Sequence, residues 1–546
     1  MFKKLDPKKL FEDLTNTQVW RSMFRGGTWK DTSRDRAQHI LGNIWLHLHP
    51  ARIRRRAVDF KYTWGLGGLS FLLFLVLTAT GIVLMFYYRP TPDLAYRDMK
   101  DLEFVVSMGT FMRNMHRWSA HTMVMVVILH MVRVFLTGSY KTPREFNWGI
   151  GVVLLVLTLF LSFTGYLLPW DQLAMWAVTV GTNMASATPF VGAEGPFSSL
   201  LGVGLKNDAR FGLLGGTAVG SATLVRFYVL HCVAVPFIAG VFMIIHFWRI
   251  RKDGFSAAPI DNEPPQQKLE TWPNLVVREY MGAILMLIFL VGWSLLMNAP
   301  LEGIADPTVT PNPSKAPWYF LGLQELLVYF DPWIAGVLLP GVIIVGLMAI
   351  PYLDPDANRG VGFYSIKERP FANAIFLTGI GAWFTLITIG TFMRGPNWQW
   401  YWPWESWLIH KAPPPPTSSL PLAIGATMLL VYFGVGMVLP LLIKLNVDIR
   451  KTTWKIIGAS FLLALIIGVL PSFTLIQGLW VGFGVALYAI LGVLLPQQYL
   501  RGISGLRYVV CMTLLLMMIG VFLKMSLHLG FNLKYVVTLP QVNFNI

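Results

Sequence analysis

Four histidines lie in two long apolar segments of the sequence, at spacings that suit metal binding. His116 and His130 are 14 residues apart in one segment, and His231 and His246 are 15 residues apart in the other. Each spacing is about four helical turns, so each pair shares one helix face, roughly 21–23 Å apart. Two such helices running in the same direction pair His116 with His231 and His130 with His246. Since imidazole is an axial ligand of haem iron, we predict two stacked, non-covalent b-type haems.

The alternative is that these histidines make structural contacts between helices. One membrane histidine alone leaves the two interpretations about equal, but four in this double register favour metal ligands. His121 lies nine residues before His130, or two and a half turns, and therefore faces away from the other histidines. We interpret His121 as structural.

Glycines repeat the same spacing in the neighbouring apolar segments. Gly67 and Gly81 are 14 residues apart, as are Gly151 and Gly165. A flat porphyrin between helices requires close backbones, which glycine permits. Packing of small residues between membrane helices is the alternative, and the shared spacing favours haem contact.

Three arginines accompany the histidines of the second apolar segment. Arg113 and Arg117 flank His116, and Arg133 follows His130. They are candidates for binding haem propionates. Each is also compatible with an interfacial cation whose side chain extends to the membrane surface.

The composition identifies a membrane protein. Of 546 residues, 55% are hydrophobic and 13% are charged, against roughly 25% charged in soluble domains. The net charge of +16 indicates basic loops near anionic lipid rather than nucleic-acid binding. Two cysteines, Cys232 and Cys511, exclude a disulfide scaffold and an iron–sulfur cluster held by this chain alone.

Eleven apolar segments are long enough to cross a membrane. They lie near 64–88, 115–136, 148–168, 223–248, 276–298, 332–352, 371–392, 421–443, 456–471, 475–496 and 508–527. The fold class is therefore an all-α polytopic membrane protein, whose first four helices form the di-haem bundle. Only Pro471 and Ser472 mark the boundary between the ninth and tenth segments.

Charges in the connections predict the orientation. Every second connection is basic, beginning with the N-terminal residues, so the N-terminus is predicted to be cytoplasmic and the C-terminus outside. No cleavable signal peptide is evident, and residues 34–49 are predicted to form an interfacial helix. We divide the chain into a cytoplasmic segment (1–62), a di-haem domain (63–260), a three-helix domain (261–412) and a four-helix extension (413–546).

Three sequence motifs resemble cytochrome b of quinol–cytochrome c reductases. They are Arg-Asn-Met-His-Arg-Trp-Ser-Ala at 113–120, Pro-Trp-Asp-Gln at 169–172 and Arg-Phe-Tyr-Val-Leu-His at 226–231. The pattern is similar to the split form of the plastoquinol–plastocyanin complex, with its four-helix cytochrome and three-helix subunit IV fused here. The resemblance covers roughly two thirds of the chain. It implies that His116 and His231 bind a low-potential haem and that His130 and His246 bind a high-potential one. It also assigns Arg113 and Arg133 to the propionates.

The resemblance further implies an activity and partners. The family oxidises quinol at the outer side with bifurcated electron transfer, reduces quinone near the cytoplasm and translocates protons. It implies a Rieske-type iron–sulfur protein, a c-type cytochrome subunit and a homodimer in a bacterial cytoplasmic membrane.

The predicted quinol pocket departs from the family at one position. Trp170 and Asp171 are expected to line it together with Pro317, Trp318 and Tyr319, but Pro317 replaces a glutamate that would accept a proton. Another base must then serve. Asp171 is the first candidate, and Glu325, two turns beyond Trp318, is the second. Glu325 is equally compatible with an exposed carboxylate, and the aromatic residues with an interfacial belt.

The inner side departs from the photosynthetic relatives too. Gly65 stands where they carry a haem-attaching cysteine, so no covalent haem is predicted. Arg251 matches a basic residue near their inner quinone site, or else belongs to the inside-positive cluster at 249–252.

Replacement of the family's glutamate by Pro317 suggests menaquinol as substrate, by family analogy. The extension at 413–546 contains no motif that we can interpret.

Two other functions are compatible with paired histidines. A two-haem membrane anchor of a dehydrogenase or hydrogenase would contain the histidines without both pocket motifs. A transporter with structural histidines would bind no haem.

Overall fold

The computed structural model describes residues 7–23, 50, 52–258, 268–354, 359–443 and 447–546. These residues are mainly helical. The predicted interfacial helix at 34–49 lies outside the described residues.

Among the described residues, eleven helices are long and apolar enough to cross a membrane, which confirms the predicted number and the all-α class. We refer to them as the first to eleventh spans. They are Leu66–Met85, Gly109–Leu136, Glu145–Tyr166, Ser221–Asp253, Val276–Leu296, Ile334–Leu353, Pro370–Met393, Leu422–Leu442, Ile449–Gly468, Leu475–Tyr499 and Gly505–Phe531.

The ninth and tenth spans are separate helices. The ninth begins at Ile449 rather than at 456, and the Asp448 side chain accepts a hydrogen bond from the Lys451 N–H at its start. Its first turn is charged, so an apolar pattern does not include it even though it is helical. A reciprocal capping box between Thr474 and Gln477 starts the tenth span.

Wide π-helical turns occur in four of the described spans, within the fourth and tenth, at the start of the sixth and at the end of the seventh. Three of them end two residues before a proline. Proline has no N–H to donate, and its ring clashes with the carbonyl group four residues earlier in the helix. The turns are Leu230–Ala234, Ile334–Leu338, Ile389–Met393 and Tyr488–Leu494, and the prolines are Pro236, Pro340 and Pro496.

Shorter helices lie outside the spans. The α-helices are Pro7–Thr15, Gln18–Met23, Phe60–Thr63, Pro92–Phe104, Gln172–Ser186, Ala209–Leu214, Thr271–Asn274 and Trp318–Tyr329. The 3-10 turns are Arg55–Val58, Ser198–Leu201, Pro396–Trp398 and Pro540–Val542.

The first compact unit comprises Met1–Met175, Val219–Asp306 and Leu347–Arg369. Within it the second span packs against the first and third, the third packs against the fourth, and the fifth packs against the first and second. Leu73, Met115 and Leu290 form part of the buried core between these helices. Strand Arg52–Arg54 pairs antiparallel with Lys268–Glu270, which places Ile53 opposite Leu269.

The second unit comprises Trp176–Ala218, Pro307–Gly346 and Pro370–Ile546. The seventh span packs against helix Trp318–Tyr329, the eleventh packs against the eighth and tenth, and the ninth packs against the tenth. Two small ribbons lie in this unit, one joining the residues before the eighth span to those after the eleventh and the other within the C-terminal residues. Ser418–Ser419 pairs parallel with Leu533–Tyr535, and Thr538–Leu539 pairs antiparallel with Phe544–Asn545.

Candidate haem and quinol sites

The first histidine layer consists of His116 on the second span and His231 on the fourth. Their ring centroids are 6.1 Å apart and their planes are 78° from parallel. Two metal–imidazole bonds of about 2.0–2.1 Å, with a ring radius of roughly 1.1 Å added at each end, require about 6 Å between centroids. The two imidazoles therefore have the separation that a shared iron needs.

The second histidine layer consists of His130 and His246 on the same two spans. Their imidazoles lie close enough to interact electrostatically. The His246 ring packs against Phe247 at 6.2 Å, and Phe247 contacts Phe71 of the first span edge to face at 5.1 Å. Aromatic side chains thus border this layer.

Each predicted glycine faces one histidine ring. A Cβ atom would lie 3.2 Å from Cε1 of His130 at Gly67, and equally close to Cε1 of His116 at Gly81. The backbone of the first span therefore lies against the imidazoles of the two histidines on the second span.

The backbone of the third span lies against the imidazoles of the two histidines on the fourth span in the same way. A Cβ at Gly151 would lie 3.7 Å from Cε1 of His246, whereas a Cβ at Gly165 would overlap the His231 ring. The sequence pattern predicts porphyrin contact at these glycines, and in the structure the space beside each of them is next to an imidazole.

A π-turn explains the unequal histidine spacings. His231 lies within the turn Leu230–Ala234, which Pro236 follows. A π-turn accommodates one more residue than an α-turn. The 15-residue spacing from His231 to His246 therefore keeps both side chains on one helix face, as the 14-residue spacing does in the second span.

The imidazoles of the first layer are oriented through Nδ1. Thr80 Oγ1 lies 2.9 Å from His116 Nδ1, and the Leu161 carbonyl oxygen lies 3.0 Å from His231 Nδ1. With Nδ1 engaged, Nε2 is the nitrogen left to bind a metal. Thr80 was missed in the sequence, although its position directly before Gly81 was the available signal.

Two arginines beside the first layer have guanidinium nitrogens that lack a partner. Arg113 Nη2 donates to the Pro300 carbonyl at 2.8 Å, whereas its buried Nη1 makes no hydrogen bond among the described residues. Nε of Arg117 is likewise unpaired there, and its guanidinium stacks on Tyr166 at 4.8 Å. Buried cationic donors of this kind fit carboxylates such as haem propionates.

Arg133 lies on the second span beyond His130. Its guanidinium stacks on the Tyr62 ring at 4.4 Å, and Nε donates to the Tyr62 carbonyl at 3.0 Å. Arg133 is thus held in position by the short helix Phe60–Thr63.

Trp170 and Asp171 lie at a sharp turn in the first unit. Trp170 has a positive φ of 52°. Asp171 is 8% exposed, and its carboxylate accepts hydrogen bonds from the N–H groups of Ala174 at 2.8 Å and Glu302 at 3.2 Å. Burial raises the pKa of the Asp171 carboxyl, although these two hydrogen bonds oppose the shift.

Pro317, Trp318 and Tyr319 begin a helix of the second unit. Pro317 is its N-cap, and the buried Tyr319 ring contacts Trp318 at 5.4 Å and Phe320 at 4.9 Å, edge to face in both cases. The helix Trp318–Tyr329 confirms that the Glu325 position is helical.

Glu325 is fully buried and its carboxylate is surrounded by donors. Arg394 donates to it at 2.6 Å, the Tyr329 hydroxyl at 2.7 Å and the Trp398 indole at 3.1 Å. Burial by itself would lower the pKa of the Arg394 guanidinium. The hydrogen bonds and the negative charge of Glu325 have the larger effect, so this pKa is raised. Sequence reasoning missed Arg394, because no motif contains it.

Arg251, predicted for the inner quinone site, and Gly65, predicted to lack a covalent haem, lie at the ends of two spans. Arg251 has one buried guanidinium nitrogen, Nη1, without a hydrogen bond among the described residues. Gly65 precedes the first span with a left-handed backbone, at φ 62°, which favours glycine over a residue such as cysteine.

Two family models match the chain in succession. Cytochrome b/b6/petB matches residues 55–254, and Cytochrome b(C-terminal)/b6/petD matches residues 304–409. Cytochrome b6 of Acaryochloris marina (strain MBIC 11017) is 44% identical over 191 residues, which cover 35% of this chain and 82% of that protein. The chain belongs to the cytochrome b/b6 family. The order of the two matches confirms the predicted fusion.

Other cytochrome b6 sequences are similar to this cytochrome b to the same extent. That of Synechococcus sp. (strain JA-3-3Ab) is 45% identical over 192 residues, with 35% of this chain and 82% of that protein covered. That of Oltmannsiellopsis viridis is 46% identical over 191 residues, with the same coverage. Family membership implies b-type haem binding and a role in electron transport.

A solved structure shares the fold. The structure named "Hyperthermophilic respiratory Complex III" aligns with a TM-score of 0.54 and 22% identity, covering 66% of this cytochrome b and 89% of that chain. At this identity the similarity concerns the fold. Residues 413–546 lie beyond both family matches.

Proposed function

We propose that this cytochrome b is the di-haem subunit of a respiratory cytochrome bc complex that oxidises quinol, with bifurcated electron transfer coupled to proton translocation. His116 and His231 hold one haem, and His130 and His246 hold the other. The observation that carries the proposal is the 6.1 Å separation of the His116 and His231 rings, together with a glycine behind every imidazole.

The residues around each layer bind and orient the cofactor. The glycines let the imidazoles lie close to the neighbouring backbones, and hydrogen bonds at Nδ1 present Nε2 in the first layer. Arg113, Arg117 and Arg133 are the proposed propionate partners. When bound, two haems supply one-electron carriers at two depths of the membrane.

Asp171 is the proposed proton acceptor for quinol in place of the glutamate that Pro317 replaces. Its carboxylate accepts only backbone hydrogen bonds among the described residues, and burial raises the pKa of this carboxyl toward the value that suits a general base. Glu325 is the weaker candidate, since the cation of Arg394 already neutralises its carboxylate. Trp170, Trp318 and Tyr319 are the proposed walls of the quinol site.

The inner quinone site is proposed to use Arg251, whose Nη1 has no hydrogen-bond partner within the described part of the chain and suits a quinone oxygen or an acidic group. Covalent haem is not expected, because glycine occupies position 65. Replacement of the motif glutamate favours menaquinol as the substrate.

The complex is proposed to contain a Rieske-type iron–sulfur protein, a c-type cytochrome and two copies of this chain. Similarity to the fold of a respiratory Complex III supports such an assembly. The basic connections support a bacterial cytoplasmic membrane with the N-terminus inside and the C-terminus outside.

A reduced-minus-oxidised spectrum of the purified complex, with haem quantified per chain, tests the proposal. We expect two b-type haems in the wild type, and one in either His116→Ala or His231→Ala. His121→Ala is the matched control on the same helix and should retain both haems. Wild-type protein without haem, or His116→Ala with both haems, would contradict the assignment. Quinol–cytochrome c reductase activity sensitive to an outer-site inhibitor then tests the quinol reaction.

A further inference from the structure

The residues preceding the four histidine-facing glycines differ between the two layers. Threonine precedes both glycines of the first layer, as Thr80 and Thr164, whereas Leu66 and Ile150 occupy the equivalent positions of the second layer. A hydroxyl group is therefore placed beside each first-layer imidazole, and an aliphatic side chain takes that position in the second layer. This difference carries a chemical consequence for the haem ligands.

Thr80 accepts a hydrogen bond from His116. The Thr80 side chain is buried, and its Oγ1 donates its proton to the Val76 carbonyl of the preceding turn at 2.7 Å. The same oxygen lies 2.9 Å from His116 Nδ1. Because the hydroxyl proton is committed to Val76, the Nδ1–H of His116 is the donor and Thr80 Oγ1 the acceptor.

Thr164 occupies the corresponding position beside His231 at a longer distance, and the backbone of Leu77 is a further polar contact of His116, as that of Leu161 is of His231. Its Oγ1 donates to the Phe160 carbonyl at 3.0 Å and lies 3.3 Å from His231 Nδ1. The Leu161 carbonyl oxygen is a second acceptor, 3.0 Å from the same nitrogen. The Nδ1–H of His231 is thus shared, and Thr164 contributes the longer of the two contacts.

The second layer has no threonine hydroxyl at the equivalent positions, which Leu66 and Ile150 occupy. Nδ1 of His130 and Nδ1 of His246 are buried without a hydrogen bond among the described residues. The backbone of Asn147 is a polar contact of His246. The two layers therefore differ at Nδ1, the nitrogen that does not bind the metal: in the first layer it has a hydroxyl acceptor, and in the second layer it has none within the described part of the chain.

We propose that Thr80 and Thr164 are positioning residues that lower the reduction potential of the haem in the first layer relative to the second. An acceptor at Nδ1–H fixes the ring orientation and the Nε2-binding tautomer, and it raises the basicity of the imidazole ligand. A more basic ligand stabilises ferric iron over ferrous iron, which lowers the potential. The inference rests on the proposed haem binding by these histidines.

Redox titration of the two haems in the intact complex, followed optically, tests the proposal. Thr80→Val keeps the side-chain shape and removes the acceptor, so the first-layer haem should shift to a higher potential. Thr164→Val should shift it less, because the Thr164 contact with His231 Nδ1, at 3.3 Å, is longer than the 2.9 Å contact of Thr80, and the Leu161 carbonyl remains at 3.0 Å. Thr80→Ser keeps a hydroxyl at this position, so the first-layer haem should have the same potential as in the wild type.

Two further variants make the test specific. Thr158→Val is the matched control, since Thr158 is also buried on the third span and its hydroxyl donates to the Leu154 carbonyl at 2.8 Å, away from the histidines. Its potentials should be unchanged. Ile150→Thr places a hydroxyl before Gly151, which faces His246, and should lower the potential of the second-layer haem.

The outcomes separate this inference from the proposed function. A wild-type complex without two b-type haems would contradict the haem assignment itself. Two bound haems with the same potentials in Thr80→Val and Thr158→Val would overturn the role of the threonines alone. If Thr80→Val loses haem, unchanged potentials in both Thr164→Val and Ile150→Thr would overturn it instead.

Discussion

Glu325 and Arg394 form an ion pair of 2.6 Å in the interior of the second unit, although they are 69 positions apart in the chain. Glu325 lies on helix Trp318–Tyr329, and Arg394 directly follows the seventh span. The pair therefore joins the helix that starts with the proposed quinol-site aromatics to the end of a membrane span.

Glu325→Gln should destabilise the protein strongly. The substitution leaves the buried guanidinium of Arg394 without its counter-charge, and removing one partner of a buried ion pair costs about 3–5 kcal/mol. Thermal unfolding of the detergent-solubilised complex measures the effect. The control is Glu405→Gln, which removes a partly exposed pair with Lys411 at 2.6 Å and should change the melting temperature little. Equal melting temperatures for the two variants would contradict a structural role for Glu325.

Asp171→Asn should lower quinol oxidation by about 10²-fold or more, the usual contribution of a general base. The measurement is steady-state quinol oxidation, with haem content confirming assembly. Asp93→Asn, at an exposed position in the first turn of helix Pro92–Phe104, is the control and should retain activity. Wild-type rates in Asp171→Asn would exclude Asp171 as the proton acceptor.

The pH dependence of the wild type should reflect the raised pKa of Asp171. Only the deprotonated carboxylate accepts a proton, so the rate should fall as the pH drops through this raised pKa, and Asp171→Asn should lose that dependence. The effect on folding has the opposite sign. Because the folded pKa exceeds the unfolded one, the stability contributed by neutral Asp171 is complete below the unfolded pKa and is lost as the pH rises through the folded pKa.

Gly165→Ala and Gly151→Ala should differ in haem content. A methyl group at position 165 would overlap the His231 ring, whereas at position 151 it would lie at an ordinary contact distance of 3.7 Å from His246. We expect Gly165→Ala to lose the first-layer haem and Gly151→Ala to keep both. Quantification of haem per chain by absorption spectroscopy measures this. Full occupancy in Gly165→Ala would show that the His231 ring has room to move.

Lys524→Met should loosen the C-terminal residues. Lys524, 5% exposed on the eleventh span, donates to the carbonyls of Tyr329 at 3.0 Å, Leu533 at 3.3 Å and Lys534 at 2.6 Å. Methionine cannot donate, and buried acceptors left unpaired cost about 1–3 kcal/mol each.

The measurement for Lys524 is thermal unfolding combined with limited proteolysis of residues 532–546. Lys534→Met is the matched control, since the Lys534 side chain is exposed and stacks on Tyr535 at 5.1 Å. Faster cleavage is expected only in Lys524→Met. Identical cleavage in both variants would contradict an anchoring role for Lys524.

The sequence predicted those features that repeat with helical periodicity or depend on local composition. Eleven spans followed from apolar length, and the facing of His116 and His231 followed from their spacings within two helices. The length of a span and the spacing of residues on one helix face can be counted in the sequence, whereas the π-turn that keeps His231 and His246 on one face could not.

Contacts between residues far apart in the chain could not be predicted in this way. The pairing of Glu325 with Arg394 and the contact of Lys524 with the Tyr329 carbonyl depend on which helices pack together. A buried network of Lys141, Asp354 and Arg369 belongs to the same class. Each partner alone is an ordinary polar residue, so no local pattern distinguishes it.

The wide turn at Leu230–Ala234 lets the fourth span contain one extra residue, which a regular helix cannot accommodate without rotating its far end. Adding one residue to an α-helix rotates everything beyond it by about 100°. Here the surplus residue is confined to the stretch before Pro236, and the far end of the helix keeps its rotation. Helices of unequal length can thus serve as matched partners, because one local distortion compensates for the mismatch.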